Sequence, residues 1–209
     1  MKKIVFLILT TLASTLVFSQ NFEGKISYQN TYKSKLTNMT DQQFTDMLGS
    51  TQDYFIKNGD YKSVLNGKLM QWQIYNNAEN KLYTKMSNSE KAIWNDASVQ
   101  GDEILKMEVN KNKIEILGYK CDEIILTCKS GIQKYYFSSK IAVDAKLFVN
   151  HKFGNWYDFI LKSNALPLKI IVENAQFIMT SIANEVKSMQ LNKNIFELPT
   201  GLITEKSPY

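Results

Sequence analysis

The chain of 209 residues contains no arginine, and all 25 of its basic residues are lysine. Bidentate readout of guanine edges and phosphates leans on the planar arginine fork, so a dedicated nucleic-acid reader is not expected. The formal charge of +5 is mild, and no dense basic block stands out. His151 is the one histidine, and Cys121 and Cys128 are the only cysteines. Their Cys-x6-Cys spacing matches no zinc knuckle, so neither a metal nor another cofactor is expected. Beyond the first residues no apolar run reaches the ~20 residues needed to span a bilayer.

Catalytic signatures are missing too. The Gly-Lys pairs at 24–25 and 67–68 lack both the upstream glycine and the following Ser/Thr of a phosphate loop. There is no dinucleotide fingerprint and no Gly-x-Ser-x-Gly elbow. Asp122 and Glu123 are adjacent, so a strand would point them to opposite faces, where they cannot flank one bond. Nothing local supports a nucleophilic pair between either cysteine and His151. No catalytic residue is nominated, and the expectation is a protein that is not an enzyme.

What is present begins with a leader. Lys2 and Lys3 precede an apolar stretch over residues 4–12, then small and apolar residues up to Ser19. This order fits a secretory signal peptide over residues 1–19, cut before Gln20, with no cysteine there to lipidate. Residues 20–209 are long enough for one domain with a sizeable core. Export to the periplasm, or secretion, follows.

The exported part is patterned for strands. In "FEGKISYQNTY", Phe22, Gly24, Ile26 and Tyr28 share one parity and polar residues the other, a period of two. "TDQQFTDML" breaks the pattern: Thr40 can cap, Gln43 falls at the capping-box position, and Phe44, Met47 and Leu48 form a helical stripe ending at Gly49. Turns are expected at Asn58-Gly59-Asp60, at Asn66-Gly67 and at Lys129-Ser130-Gly131. "EILKMEV" and "KIEIL" are expected as separate strands joined at "NKN". A second helix starts at Asn155, carries Trp156, Phe159 and Ile160, and is closed by Pro167. "LPLKIIVEN" resumes the sheet, residues 175–191 form a strand or hairpin, and "NIFELP" is a short last strand. The sum is roughly ten strands and two short helices, a mainly β (α+β) chain. Its antiparallel sheet must curl or close to hide its apolar face.

The thiols need not be a redox device. Seven steps along an unbroken strand cover ~23 Å, whereas a disulfide needs Cα atoms ~5.5 Å apart. No disulfide is expected; both cysteines are read as small apolar residues.

Large apolar side chains at Met70, Trp72, Ile74, Tyr135, Phe137, Phe177 and Met179 leave two readings open. Either side chains and helices fill the curled sheet as an ordinary core, or an apolar cavity remains for a lipid-like guest. The second reading nominates Met70, Trp72, Ile74, Phe177 and Met179 as ligand-binding. The first makes the chain a structural or interaction module of the cell envelope, with a protein partner left unknown.

Four stretches in order, "FEGKISY" (22–28), "ILGYKC" (116–121), "ALPLKI" (165–170) and "FELPTG" (196–201), resemble exported Gram-negative domains near the LolA/LolB-like lipoprotein-carrier superfamily. The "GYKC" step is similar to that of the related GLPGLI proteins. The resemblance implies a strongly curved antiparallel sheet, an incomplete barrel, with helices over its concave apolar face. The best-known carriers use a cavity arginine, which this chain lacks. The implied function is therefore a soluble, non-catalytic binder of a lipid or other apolar small molecule.

Overall fold

Asn-Gly, Leu-Gly and Lys-Ser corners divide the chain into hairpins, and the computed structural model, which describes residues 21–208, assembles them into one sheet. The leader expected over residues 1–19 lies outside the described residues. The strands are β1 (Gly24–Ser34), β2 (Thr51–Lys57), β3 (Asp60–Leu65), β4 (Met70–Asn76), β5 (Lys81–Met86), β6 (Ala92–Asp96), β7 (Ile104–Ile116), β8 (Tyr119–Cys128), β9 (Gly131–Ala142), β10 (Ala165–Glu173), β11 (Phe177–Ser188) and β12 (Thr204–Lys206). Two helices, α1 (Asp41–Leu48) and α2 (Trp156–Ser163), interrupt them. The order across the sheet is β12-β6-β5-β4-β3-β2-β1-β11-β10-β9-β8-β7, antiparallel except for the β12–β6 pair. Strand accounts for 54% of the structure, and the sheet does not close into a barrel.

The corners show which turn signals held. Asn58 and Gly59 both have positive φ (49° and 90°), as do Leu117 and Gly118 (51° and 77°), so each pair closes a two-residue hairpin. Lys129 and Ser130 join Cys128 to its partner Gly131. Asn66-Gly67 is different: Gly67 has no positive φ and lies in a longer loop that packs on the end of α1. A Cβ on Gly67 would sit 2.5 Å from the Met47 carbonyl oxygen, so close backbone approach, not turn geometry, requires this glycine. "EILKMEV" and "KIEIL" form the single strand β7, with a register break between Asn110 and Ile114 and Asn112 at φ 50°. "NIFELP" supplies a 3-10 turn, Lys193–Phe196, while the last strand comes later as β12.

α1 is held at its start by a full capping box. The Thr40 side chain accepts from the Gln43 backbone N–H, and the Gln43 side chain accepts from the Thr40 N–H. Eight residues do not sustain a helix without help, so the cap and one anchor matter. The anchor is Phe44, whose ring meets Tyr32 of β1 at 6.5 Å and Phe177 of β11 at 5.0 Å. Thr40→Ala is expected to cost about 1 kcal/mol, read as a shift of the urea midpoint at unchanged slope. No shift would mean that Phe44 alone holds α1.

α2 ends differently from the expectation. Asn155 occupies the N-cap position but makes no capping hydrogen bond; its φ is 61° and its amide is spent on Cys128 and Gln100. Asn164, left-handed at φ 47°, terminates the helix. Pro167 already belongs to β10, at a register irregularity before pairing with β11 begins at Lys169. A proline is tolerated there because no ladder bond needs its missing N–H.

The sheet is strongly curved, and α2 measures the curvature. Ring contacts of 6.3 Å (Tyr61–Trp156), 5.7 Å (Trp156–Phe159) and 4.3 Å (Phe159–Tyr135) link β3 to β9 through one short helix. Five strand spacings in a flat sheet would put β3 and β9 roughly 24 Å apart. Tyr32, under α1, and Tyr28, near α2, lie four residues apart on β1, so both helices cover the same, concave face. Cys121 and Cys128 sit buried and unbonded to each other on β8, which runs unbroken between them. Burial pushes the Cys128 thiol up to about 11, so it stays neutral.

Candidate functional site

Beside α2 the concave face is not filled. A pocket of about 150 Å³ is lined by Tyr28, Gln52, Tyr54, Tyr61, Ser63, Gln73, Trp156, Pro167 and Ile170. The hairpin at Asn58-Gly59 builds its wall: the register Ile56↔Tyr61 and Tyr54↔Ser63 places Tyr54, Tyr61 and Ser63 on one face. The tyrosine rings lie 5.1 Å apart, and Trp156 from the first turn of α2 meets them at 6.4 and 6.3 Å. Opposite, the Tyr28 hydroxyl donates to the Pro167 carbonyl at 2.7 Å, tying β1 to β10 across β11.

The floor is polar and uncharged. Gln52 Nε2 donates to Ser63 Oγ at 2.7 Å, and Gln73 Nε2 donates to Thr84 Oγ1 at 3.2 Å, a ladder of neutral groups crossing β2 to β5. Five buried side-chain atoms among the described residues have no protein hydrogen-bond partner: Asn30 Oδ1, Tyr54 Oη, His151 Nδ1, Trp156 Nε1 and Ser181 Oγ. Two of them, Tyr54 Oη and Trp156 Nε1, belong to side chains that line this pocket. An unpaired buried polar group is costly, so such atoms mark places where water or a ligand completes the bonding.

Tyr61 carries a pairing that resembles acid–base machinery, its hydroxyl lying 2.8 Å from His151 Nε2. Burial lowers the His151 pKa to about 4 and raises that of Tyr61 above the ordinary range. Burial thus makes the imidazole a weak base and the phenol a weak acid, which disfavours proton transfer between them. The ring of His151 is packed at 4.2 Å from Tyr75 and 5.7 Å from Tyr61, a core position. No cluster of three or more metal-ligating side chains occurs among the described residues.

The nominated residues divide between the two faces. Phe177 and Met179 lie on the helix-covered face beside α1, paired with Ser34 and with Tyr32. Trp72 and Ile74 share the opposite face, because Gln73 between them points into the pocket. Ile74 is 1% exposed there, beside Phe196 of the 3-10 turn, while Lys62 sits over the Trp72 ring at 6.0 Å. Met70 pairs with Met86 beyond a register break and does not line the pocket. The lining tyrosines were within reach of sequence reasoning, since the Asn58-Gly59 turn fixes which residues of β2 and β3 share a face.

No family model matches the chain, and no curated protein matches it significantly. Solved structures that it is similar to include PNGF-II in two crystal forms. The P21 form gives 12% identity and a TM-score of 0.50 over 88% of this chain and 31% of that one. The C2 form gives 13% identity and 0.47 over 87% and 31%. The chain thus spans about a third of the length of PNGF-II. LprF from Mycobacterium bovis matches over 82% of this chain and 90% of its own, at 10% identity and a TM-score of 0.34. At such identities the likeness to PNGF-II in its P21 form concerns the fold and nothing more.

Proposed function

We propose that this chain is a non-catalytic binding domain that takes a neutral amphiphile, holding its end group in the pocket beside α2. The observation that carries the reading is a pocket walled by the Tyr54, Tyr61 and Trp156 rings with no charged lining residue; the unpartnered Tyr54 Oη and Trp156 Nε1 belong to two of those side chains. A volume near 150 Å³ suits a group the size of a benzene ring, not a whole acyl chain. The apolar remainder has a track: Ile170, Val172 and Met179 are half-buried on the same face, leading toward Phe177 and α1. An open curved sheet under two helices is also the architecture that the resemblance to LolA/LolB-like carriers implies. Export to the periplasm, with the leader removed before Gln20, completes the proposal.

A matched pair of probes tests it. Benzamide should shift the Trp156 indole N–H resonance in a ¹⁵N spectrum, and benzoate, equal in size but charged, should not. Tyr54→Phe removes one hydrogen bond and should weaken benzamide roughly two- to tenfold. Equal binding of the two probes, or none by either, would refute the reading.

A further inference from the structure

The two ends of the sheet are unequal. β12 closes one end with three residues, whereas the other ends on β7, thirteen residues long, with no strand beside it among the described residues. A long open edge invites pairing, and proteins blunt such edges with lysines and bulges. β7 has both: lysines at 106, 111 and 113, and register breaks between Ile104 and Lys106 and between Asn110 and Ile114. Residues 106–110 run straight between those breaks. Met107 and Val109, each 37% exposed, share one face of that segment as an apolar pair in an otherwise polar edge, while Leu105 is the unpaired residue of the first break.

The order of side chains decides what this edge accepts. Antiparallel pairing with a second copy, about a two-fold axis at Met107 in the straight segment, sets Met107 against Met107 and Lys106 against Glu108. Lys106 and Glu108 already share one face, 3.0 Å apart and largely exposed, so each gains an opposite charge from the other copy. Moving the axis one residue either way places Lys106 against Lys106 or Glu108 against Glu108, and like charges directly opposite are destabilising. Among these three registers, only the one centred on Met107 gives Lys106 a second carboxylate beside the Glu108 of its own strand. We infer that β7 is a homodimerisation edge, joining two twelve-stranded sheets into one through a pairing centred on Met107 and flanked by Lys106 and Glu108. So short a pairing makes a small interface, and the dimer is weak and concentration-dependent.

Sedimentation over a concentration series reads the association, and every substituted residue is on the exposed edge. Glu108→Lys should weaken it at least tenfold, and the swap Lys106→Glu with Glu108→Lys should restore it. Facing residues in such a pair have Cβ atoms ~5 Å apart. Met107→Cys should therefore link to itself under mild oxidation. A wild type that stays monomeric at millimolar concentration, a swap that fails to restore association, or Met107→Cys that does not link to itself would overturn the inference.

Discussion

Phe159→Ala is expected to destabilise the fold by about 3–5 kcal/mol, the cost of truncating a fully buried phenylalanine. α2 is eight residues long, too short to persist on propensity, so packing must hold it. Phe159, fully buried like its neighbour Ile160, is central to that packing. It stacks on Tyr135 at 4.3 Å, meets Phe137 edge-on at 6.0 Å and touches Trp156 at 5.7 Å. The same contact bends the sheet, because it ties β9 to the helix that Tyr54 and Tyr61 approach from the other side. Freeing α2 would also release Trp156, one wall of the pocket. Guanidinium unfolding measures the loss, and Phe159→Leu, which keeps most of the volume, should cost less than half as much. A loss below 1 kcal/mol for the alanine variant would show that α2 is anchored elsewhere.

Acid should weaken the protein in a window set by one residue. His151 is the chain's only histidine, and burial against Tyr61, Tyr75 and Trp156 lowers its pKa from 6.5 to about 4. Its direct hydrogen-bond partner is the Tyr61 hydroxyl, which stays neutral. The unfolded chain therefore binds a proton near pH 6.5 that the folded chain refuses until about pH 4. Stability from this group is complete above pH 6.5 and is lost as pH falls toward 4, by about 3 kcal/mol in all. Carboxylates with lowered pKa values, such as Glu23 and Glu79, add to the loss only at the acid end of the window. Urea midpoints at pH 7, 6 and 5 should fall in order, and His151→Gln should flatten the trend. A wild-type midpoint unchanged from pH 7 to pH 5 would contradict the placement of His151.

Local chemistry was legible in the sequence wherever one or two residues decide a conformation. The capping box of Thr40 and Gln43 and the turns at Asn58-Gly59 and Lys129-Ser130 are of this kind. The misreadings share a different cause: the backbone was constrained by something distant in sequence. Gly67 answers to the carbonyl of Met47, Asn155 spends its side chain on Cys128 and Gln100, and Pro167 sits where β10 has not yet met β11.

Face assignment in β4 shows the same limit. Its apolar parity, Trp72 and Ile74, points outward because the 3-10 turn at Lys193–Phe196 and the Lys62 side chain cover that side. Gln73 faces inward because Thr84 offers it a partner. Alternation reveals that two faces differ, but not which one the helices cover. In β11 the parity of Phe177 and Met179 leads to the concave side. The polar floor of the pocket could not be foreseen from period-two patterning, since it depends on the register of four strands.

The central claim is that the concave pocket holds a neutral amphiphile. Its most direct test is mass spectrometry of an organic-solvent extract from protein purified without detergent. A neutral amphiphile recovered near one per chain, and depleted when Trp156→Ala removes the pocket wall, is the predicted result. An extract with no small molecule, or an anionic lipid retained equally by the Trp156→Ala variant, would contradict it.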